Sequence, residues 1–313
     1  MRTKEPFLTN QHGRFFSDMF SGLVGAQPRK ARAVFLTRLS ASALAQTTMS
    51  PTLPLEILDL TIDHLRDEPT TLKACCVVSK SWIHRTRAHL FADIEFHAPK
   101  SHIELWKKAF PDPSNSPAHH TRALSIHGIP PITAADTGVG GWIRTFRNLV
   151  HLYLDSIGGE DRDPSLVPFY GVSPTLRSLR LRAFSSEVLD LICSFPLLED
   201  LALNYHTPVG DTWDTPSTSP KLTGSLNMRA FGATLPVARR LLGLPNGLHF
   251  TKITFACIEE DVKPAMDLVS ACSGTLESLT FWHLTPGTFI SASMSGQYLT
   301  TVCGFRRVWD ASG

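Results

Sequence analysis

The sequence has little net charge, no long apolar run and no regular cysteine framework. Its 30 Lys and Arg nearly balance 28 Asp and Glu, for a net charge of +2, so it lacks the basic field that attracts nucleic acid. No apolar run approaches the roughly 18–20 residues that a membrane-spanning helix needs. The six cysteines include no Cys-x-x-Cys pair. We therefore expect reduced thiols in a cytoplasmic or nuclear protein that binds neither nucleic acid nor membrane.

Motifs that carry catalysis or bind metal are also missing. The glycines at 138–141 have no Lys-Ser/Thr after them, as a phosphate-binding loop would require, and no Gly-x-Ser-x-Gly elbow occurs. His119 and His120 are adjacent, which makes it difficult for both rings to reach one ion, and no cysteine or carboxylate spacing accompanies them. The sequence therefore predicts no enzyme activity, no cofactor and no metal site.

Residues 1–48 differ in composition from the rest of the chain. They hold seven Lys and Arg against two acidic residues. This composition predicts a disordered basic extension, although a mitochondrial presequence would also be acid-poor. Met49 is an alternative start, because it immediately precedes the first patterned segment.

An amphipathic helix is predicted directly after this extension. Pro54 suits the first helical position, and Glu56 in the first turn favours the helix dipole. Leu58, Ile62 and Leu65 follow at spacings of four and three, which places them on one side of the helix. Two more short helices are predicted before residue 97. A three-helix bundle of this size is small for an independent core, so we expect it to pack on a partner or a neighbouring domain.

The residue types of this bundle resemble an F-box. The resemblance rests on Leu-Pro-Leu-Glu-Ile-Leu at 53–58 and on Val-Val-Ser-Lys-Ser-Trp at 77–82, with departures at Cys75, where Leu is common, and Ser79, where Cys is common. An F-box implies binding to a Skp-type adaptor, which links to cullin in an SCF-type ubiquitin ligase. The adaptor-binding positions that the resemblance implies are Leu53, Pro54, Ile57, Leu58, Val77, Val78 and Trp82.

An internal repeat follows the bundle. The unit Ω-x-x-Ω-x-Ω-x-x-Ω, in which Ω is apolar, recurs with its second position at 124, 152, 179, 201, 226, 253 and 279, in steps of 22 to 28 residues. Its central Ω-x-Ω alternation predicts a strand with one buried face. Helices are predicted between strands at 142–146, 187–195, 236–244 and 262–272, and a further helix at 102–110 in the connector. The register of the unit near 226 is left open by its missing first apolar residue.

This period resembles the leucine-rich repeat, in which each unit supplies one strand and one returning helix or turn. The usual inward Asn or Cys is absent, so we predict an irregular solenoid of α/β class behind the F-box-like bundle. A doubly wound α/β sheet is the competing fold. The expected divisions are 1–48 (extension), 49–97 (F-box-like), 98–120 (connector), 121–284 (repeats) and 285–313 (cap or tail).

The combined resemblance implies the substrate-recognition subunit of an SCF-type ubiquitin ligase, with an unknown protein substrate on the repeats. Positions between the inward leucines would then contact the substrate, namely Tyr153, Arg180, Ala202, Thr254 and Thr280. Arg177, Arg180 and Arg182 form a weak basic cluster that would suit a phosphorylated ligand. One alternative is a repeat scaffold without ligase function, in which the bundle only caps the solenoid. An unrecognised α/β enzyme is the other.

Overall fold

The computed structural model describes residues 54–97, 99–128, 142–155, 166–182, 188–204, 218–229, 234–257, 262–285 and 288–295. These residues divide into two units. A helical unit comprises 54–92 and 101–120, and a sheet unit comprises 93–100 and the residues from 121 onwards. The predictions for 1–48, Leu53, the glycines at 138–141 and residues 296–313 of the predicted cap or tail lie outside the described residues.

Four helices account for most of the helical unit. The first begins at Leu55, so Pro54 is its N-cap rather than the predicted first helical residue, while Glu56 lies in the first turn as the sequence predicts. The second begins at Pro69, a residue tolerated in a first turn because its missing N–H would have no partner there. The four helices are α1 (Leu55–His64), α2 (Pro69–Val78), α3 (Lys80–Leu90) and α4 (Pro99–Ala109).

The core of the helical unit forms where α3 packs against both α1 and α2. Ile62 of α1 and Leu72 and Cys75 of α2 are buried. A second cluster joins the end of α3 to α4, in which Phe91 lies edge-on to Trp106 at 6.1 Å between ring centroids. Trp106 and Ile103 are buried, as the helix predicted over 102–110 requires.

In the part of the chain that the structure describes, nine strands form one sheet in the order of the chain. The first eight are parallel, and the last pairs antiparallel with the eighth. The strands are β1 (Asp93–His97), β2 (Ala123–His127), β3 (His151–Asp155), β4 (Ser178–Arg182), β5 (Asp200–Asn204), β6 (Ser225–Arg229), β7 (Lys252–Cys257), β8 (Ser278–Thr285) and β9 (Thr288–Ser295).

The strand register pairs the predicted repeat positions with one another. Each marker residue lies opposite the next, and all are buried: Leu124, Leu152, Leu179, Leu201, Leu226, Ile253 and Leu279. The unit near 226 is therefore aligned as the spacing suggested. Ile94 of β1 pairs with Leu124, which adds a strand before the first predicted unit. A doubly wound sheet would reverse its strand order at a switch point, whereas this order is sequential.

Short helices connect several of the strands and bury apolar residues such as Leu191, Leu241 and Leu268. The predicted helices at 187–195, 236–244 and 262–272 correspond to α5 (Val188–Cys193), α6 (Thr234–Leu242) and α7 (Val262–Ala271). Trp142 and Ile143 are helical and end in a turn, at the start of the predicted helix over 142–146. In the described part of the chain, no helix combines the length and apolar character needed to cross a membrane.

In five of the connections between strands, one backbone carbonyl accepts two N–H groups from the following unit. The carbonyl of Arg122 accepts from Val150 at 2.8 Å and His151 at 2.9 Å. The same arrangement recurs at the carbonyls of Val150, Arg177, Gly224 and Thr251. Between β5 and β6 the pattern changes, because the Asp200 Oδ1 atom accepts the Ser225 N–H at 2.6 Å. A side chain thus replaces the second carbonyl bond at this step.

Candidate functional site

Helix α1 has apolar side chains on two opposite sides. Ile62 is buried against the rest of the helical unit. Ile57 and Leu60 lie about half a helical turn away around the axis, given about 3.6 residues per turn. They are 47% and 56% exposed, and Leu55 in the first turn is exposed as well. Water therefore faces an apolar surface that the helical unit does not use for its own core.

The carboxyl end of α2 adds two more exposed apolar residues. Val77 is 85% exposed and Val78 is 67% exposed, whereas Leu72 in the same helix is buried. The helix ends there because Ser79 is extended, with φ −145 and ψ 140. We refer to five residues together as the exposed apolar set: Leu55, Ile57, Leu60, Val77 and Val78.

The predicted adaptor-binding residues differ in their exposure. Pro54, Ile57, Val77 and Val78 are exposed. Leu58 and Trp82 are half-buried and contribute partly to packing, while Leu53 lies outside the described residues. The sequence analysis did not single out Leu55 and Leu60. Leu60 lies off the stripe formed by Leu58, Ile62 and Leu65, whereas Leu55 extends that stripe into the first turn, where it is exposed.

An ion cluster holds α1 against α3 beside this set. Asp63 accepts two bonds from Arg85, one of them from Nε to Oδ1 at 2.6 Å. The His89 Nε2 atom lies 2.7 Å from the same oxygen. The Arg85 guanidinium, followed by His89, holds the pKa of Asp63 well below its usual range. The cluster fixes the rotation of α1 and so the direction in which Ile57 and Leu60 point.

The predicted substrate-contacting residues form one row across the polar face of the sheet. Register pairs Tyr153 with Arg180, and Thr254 with Thr280, with Ala202 between the two pairs. The Arg180 guanidinium carbon lies 5.3 Å from the centre of the Tyr153 ring. These residues are thus brought together in the middle of the strands.

The basic cluster suggested by the sequence is divided among separate partners. Arg177 forms an ion pair with Glu199, and Arg182 lies 3.4 Å from Asp155 Oδ2. Arg180 faces Tyr153 instead. The three arginines do not converge on one point, so the idea of a phosphate-binding arginine cluster gains no support from these contacts.

A second polar row lies two residues further along each strand, and the sequence analysis did not identify it. Register aligns it from β1 to β8, one residue per strand. Arg229 in this row lies over Trp282, with its guanidinium carbon 4.8 Å from the ring centre. We call it the strand-end row, and its polar and aromatic members are His97, His127, Asp155, Arg182, Asn204, Arg229 and Trp282.

Two histidines of the strand-end row share one carboxylate. The Glu95 Oε1 atom lies 2.7 Å from His127 Nε2 and 3.1 Å from His97 Nε2. The imidazole rings stack at 4.7 Å with an interplanar angle of 13°. The His127 contact lowers the pKa of Glu95, and the Glu95 contact raises the pKa of His127 although burial opposes the rise.

Asp155 links this group to the adjacent strands. Its side chain is only 3% exposed. The Oδ2 atom lies 3.6 Å from His127 Nδ1, and it accepts a bond from the Tyr153 hydroxyl at 3.3 Å. The Oδ1 atom is buried and has no hydrogen-bond partner among the described residues. Burial, followed by the Asp155 charge, raises the pKa of Tyr153.

The three side chains of Glu95, His97 and His127 can present ligand atoms to one metal ion. One atom from each lies within 4.8 Å of the other two. His119 and His120, the pair considered from the sequence, instead pack ring against ring at 3.9 Å. Burial, followed by the neighbouring His119, lowers the pKa of His120 to about 4.

Comparison with known proteins identifies no relative of this chain. No family model matches the chain, and no curated protein or solved structure matches it either.

Proposed function

We propose that the chain is the substrate-recognition subunit of an SCF-type ubiquitin ligase and that its helical unit binds a Skp-type adaptor. The observation that carries this proposal is the exposed apolar set, which lies on the segment whose sequence resembles an F-box. Exposed apolar surface is stabilised when a partner removes it from water. Ile57, Val77 and Val78 belong both to this set and to the positions that the resemblance implies for adaptor contact.

The proposal assigns the sheet unit to substrate binding. Parallel strands in chain order, with a buried leucine or isoleucine at each repeat position, support an irregular leucine-rich-repeat solenoid. Such an array offers one continuous polar face. Tyr153, Arg180, Thr254 and Thr280 lie on it, and we propose that they contact the protein substrate.

Under this proposal, ligase function comes from proximity. The adaptor connects the chain to cullin and to a charged ubiquitin-conjugating enzyme, while the substrate is held on the sheet unit. Holding both in one assembly raises the effective concentration of the acceptor lysine. We therefore propose that the chain is not itself an enzyme, that it needs no cofactor, and that it acts in the cytoplasm or nucleus.

A binding experiment with charged substitutions tests the adaptor contact. Val77→Asp combined with Val78→Asp places two carboxylates on exposed positions, so the helical unit should stay folded. We expect the wild-type chain to form a one-to-one complex with a Skp-type adaptor in size-exclusion chromatography. The double variant should bind at least about 100-fold more weakly, since desolvating unpaired charges in an apolar interface is costly.

Val167→Asp is the matched control, because Val167 is an exposed valine of the sheet unit. It should leave adaptor affinity unchanged. A wild-type chain that stays monomeric beside the adaptor would overturn the proposal and favour the repeat scaffold without ligase function. Equal binding by the double variant would show that the adaptor, if bound, uses another surface.

A further inference from the structure

Glu95, His97 and His127 form a group suited to a metal ion, which the proposed ligase function does not use. Register places His97 and His127 opposite each other on β1 and β2, and Glu95 lies two residues before His97 on the same face. We propose that these three side chains bind one divalent transition-metal ion of the zinc class. This inference is independent of the adaptor and of the substrate.

The ligand geometry needs only a small adjustment. Zinc takes His nitrogen and Glu oxygen at about 2.0–2.2 Å, which separates neighbouring ligand atoms in a tetrahedron by roughly 3.4 Å. Glu95 Oε1 is already 2.7 Å from one Nε2 atom and 3.1 Å from the other. All three ligand atoms lie within 4.8 Å of one another, so an outward movement of the carboxylate oxygen by a few tenths of an ångström, with adjustment of the two rings, makes room for the ion.

Strand pairing fixes the backbone positions of the three ligands in the metal-free chain. All three come from paired strands rather than from loops. The strand residues next to them, Ile94, Phe96 and Ile126, are buried in the core. The stacked rings bring both Nε2 atoms within 3.1 Å of one carboxylate oxygen, and His127 Nε2 is buried with no hydrogen-bond partner among the described residues. A site that is rigid before binding loses little conformational entropy when it binds.

Asp155 supplies the outer support that histidine ligands commonly have. A metal-bound imidazole usually donates its other N–H to a carboxylate, which fixes the ring and raises its basicity. Asp155 Oδ2 lies 3.6 Å from His127 Nδ1 and is itself held by the Tyr153 hydroxyl. At 3.6 Å this contact is an ion pair rather than a hydrogen bond, so Asp155 is a positioning residue that acts on the His127 ring through its charge.

The donor set determines the class of ion. Two imidazole nitrogens and one carboxylate suit zinc and its neighbours, whereas calcium and magnesium prefer oxygen ligands alone. Three protein ligands leave a fourth position for water or for a donor group of a bound partner. The ion would also fasten β1, the first strand of the sheet, to β2.

The test measures metal binding by the untagged full-length chain. Calorimetric titration with Zn²⁺ should give one tight equivalent per chain, and Co²⁺ should give the visible absorption of a tetrahedral site. His97→Ala and His127→Ala should each weaken binding by at least about 100-fold. Asp155→Asn should weaken it by about 10–100-fold and shift the Co²⁺ spectrum, which a purely structural role would not do.

Two further variants separate loss of ligands from loss of fold. Glu95→Gln keeps the shape of the side chain but removes its charge, and it should still lose the tight equivalent. His151→Ala changes an exposed histidine on the neighbouring strand β3 and should bind like the wild type. The proposal is overturned if the wild-type chain binds no tight equivalent, or if the combined His97→Ala, His127→Ala variant retains it.

Discussion

Gly224 shows how a single residue controls the junction between two strands. Its N–H donates to the Glu199 carbonyl at 3.1 Å, and its own carbonyl accepts the Thr251 N–H at 2.9 Å. The backbone is therefore fixed on both sides. A side chain here would meet the Asp200 carboxylate, which accepts from the Ser225 N–H and hydroxyl. Glycine is needed for the close approach, not for an unusual φ.

Gly224→Ala should destabilise the sheet unit by about 1–3 kcal/mol, because the new methyl group pushes Asp200 away from its two partners. Equilibrium denaturation measures this loss. Gly274→Ala is the matched control, since nothing lies within 4 Å of its added Cβ. It should change stability by at most about 0.5–1 kcal/mol.

Asp200→Ala provides a second check on the cause. If the clash acts through this carboxylate, the effects of Gly224→Ala and Asp200→Ala will not add, because both remove the same bonds to Ser225. Strict additivity would instead indicate that the alanine disturbs the backbone near Glu199.

At the scale of elements, α1 and α3 depend on one carboxylate. Asp63→Asn removes the charge that pairs with Arg85 and His89, and it should destabilise the helical unit by roughly 1 kcal/mol, a figure kept low because the pair is partly exposed to solvent. Hydrogen exchange of the α1 amides in the intact chain measures the effect. Asp67→Asn is the control, as Asp67 is largely exposed and forms its ion pair with the adjacent Arg66.

The sign of the pH dependence follows from the lowered pKa of Asp63. Its usual value is 3.8, and the folded chain holds it lower. The stabilisation is therefore complete above pH 3.8 and is lost as the pH falls below that value toward the folded-state pKa. The difference between wild type and Asp63→Asn should shrink over that acid range. A difference that stays constant there would rule out the charge as its source.

Several elements could be predicted from local patterns because one face of each is buried. Leu-x-Leu alternation predicted β3, β4 and β5, and the apolar spacing at 262–272 predicted α7. Strand β1 was missed, although Phe91, Ile94 and Phe96 follow the first three positions of the same repeat unit. These residues follow the helical segment directly, so the sequence analysis assigned them to that segment rather than to a repeat unit.

The sheet unit as a whole is built from contacts between consecutive strands. Each strand from β2 to β8 pairs only with its predecessor and successor in the chain. Stability in such an arrangement is approximately a sum of units and of the interfaces between neighbours. A defect in one unit should therefore act mainly on the strands beside it.

Leu154→Ala tests this locality. Leu154 is fully buried in β3, so its truncation should cost about 2–5 kcal/mol. Hydrogen exchange should accelerate first in β2, β3 and β4, and later in β7 and β8. Leu197→Ala removes an exposed leucine and should cost at most about 0.5 kcal/mol. Uniform acceleration across all strands would show that the sheet unit opens as one cooperative body.

The strand-end row could not be predicted from the sequence. Glu95 and His97 are separated from His127 by about one repeat step, and no spacing rule for metal ligands spans such a distance. Only parallel register places them side by side. Tyr153 and Arg180 were accessible to prediction, because they lie between two leucines in the same strand.

The reversed direction of β9 has a consequence for the growth of the sheet. Parallel strands added in chain order leave an open edge at the last strand, and a second copy could add its own first strand there, which would produce an open-ended filament. In this chain β9 occupies the outer edge of β8 over eight residue pairs, from Ser278 and Ser295 to Thr285 and Thr288. A further strand would then pair with an antiparallel strand. Its residues would not align with the buried leucine and isoleucine positions of the parallel strands. Among the described residues, β9 therefore covers the edge of β8 at which the first strand of a second copy could otherwise pair.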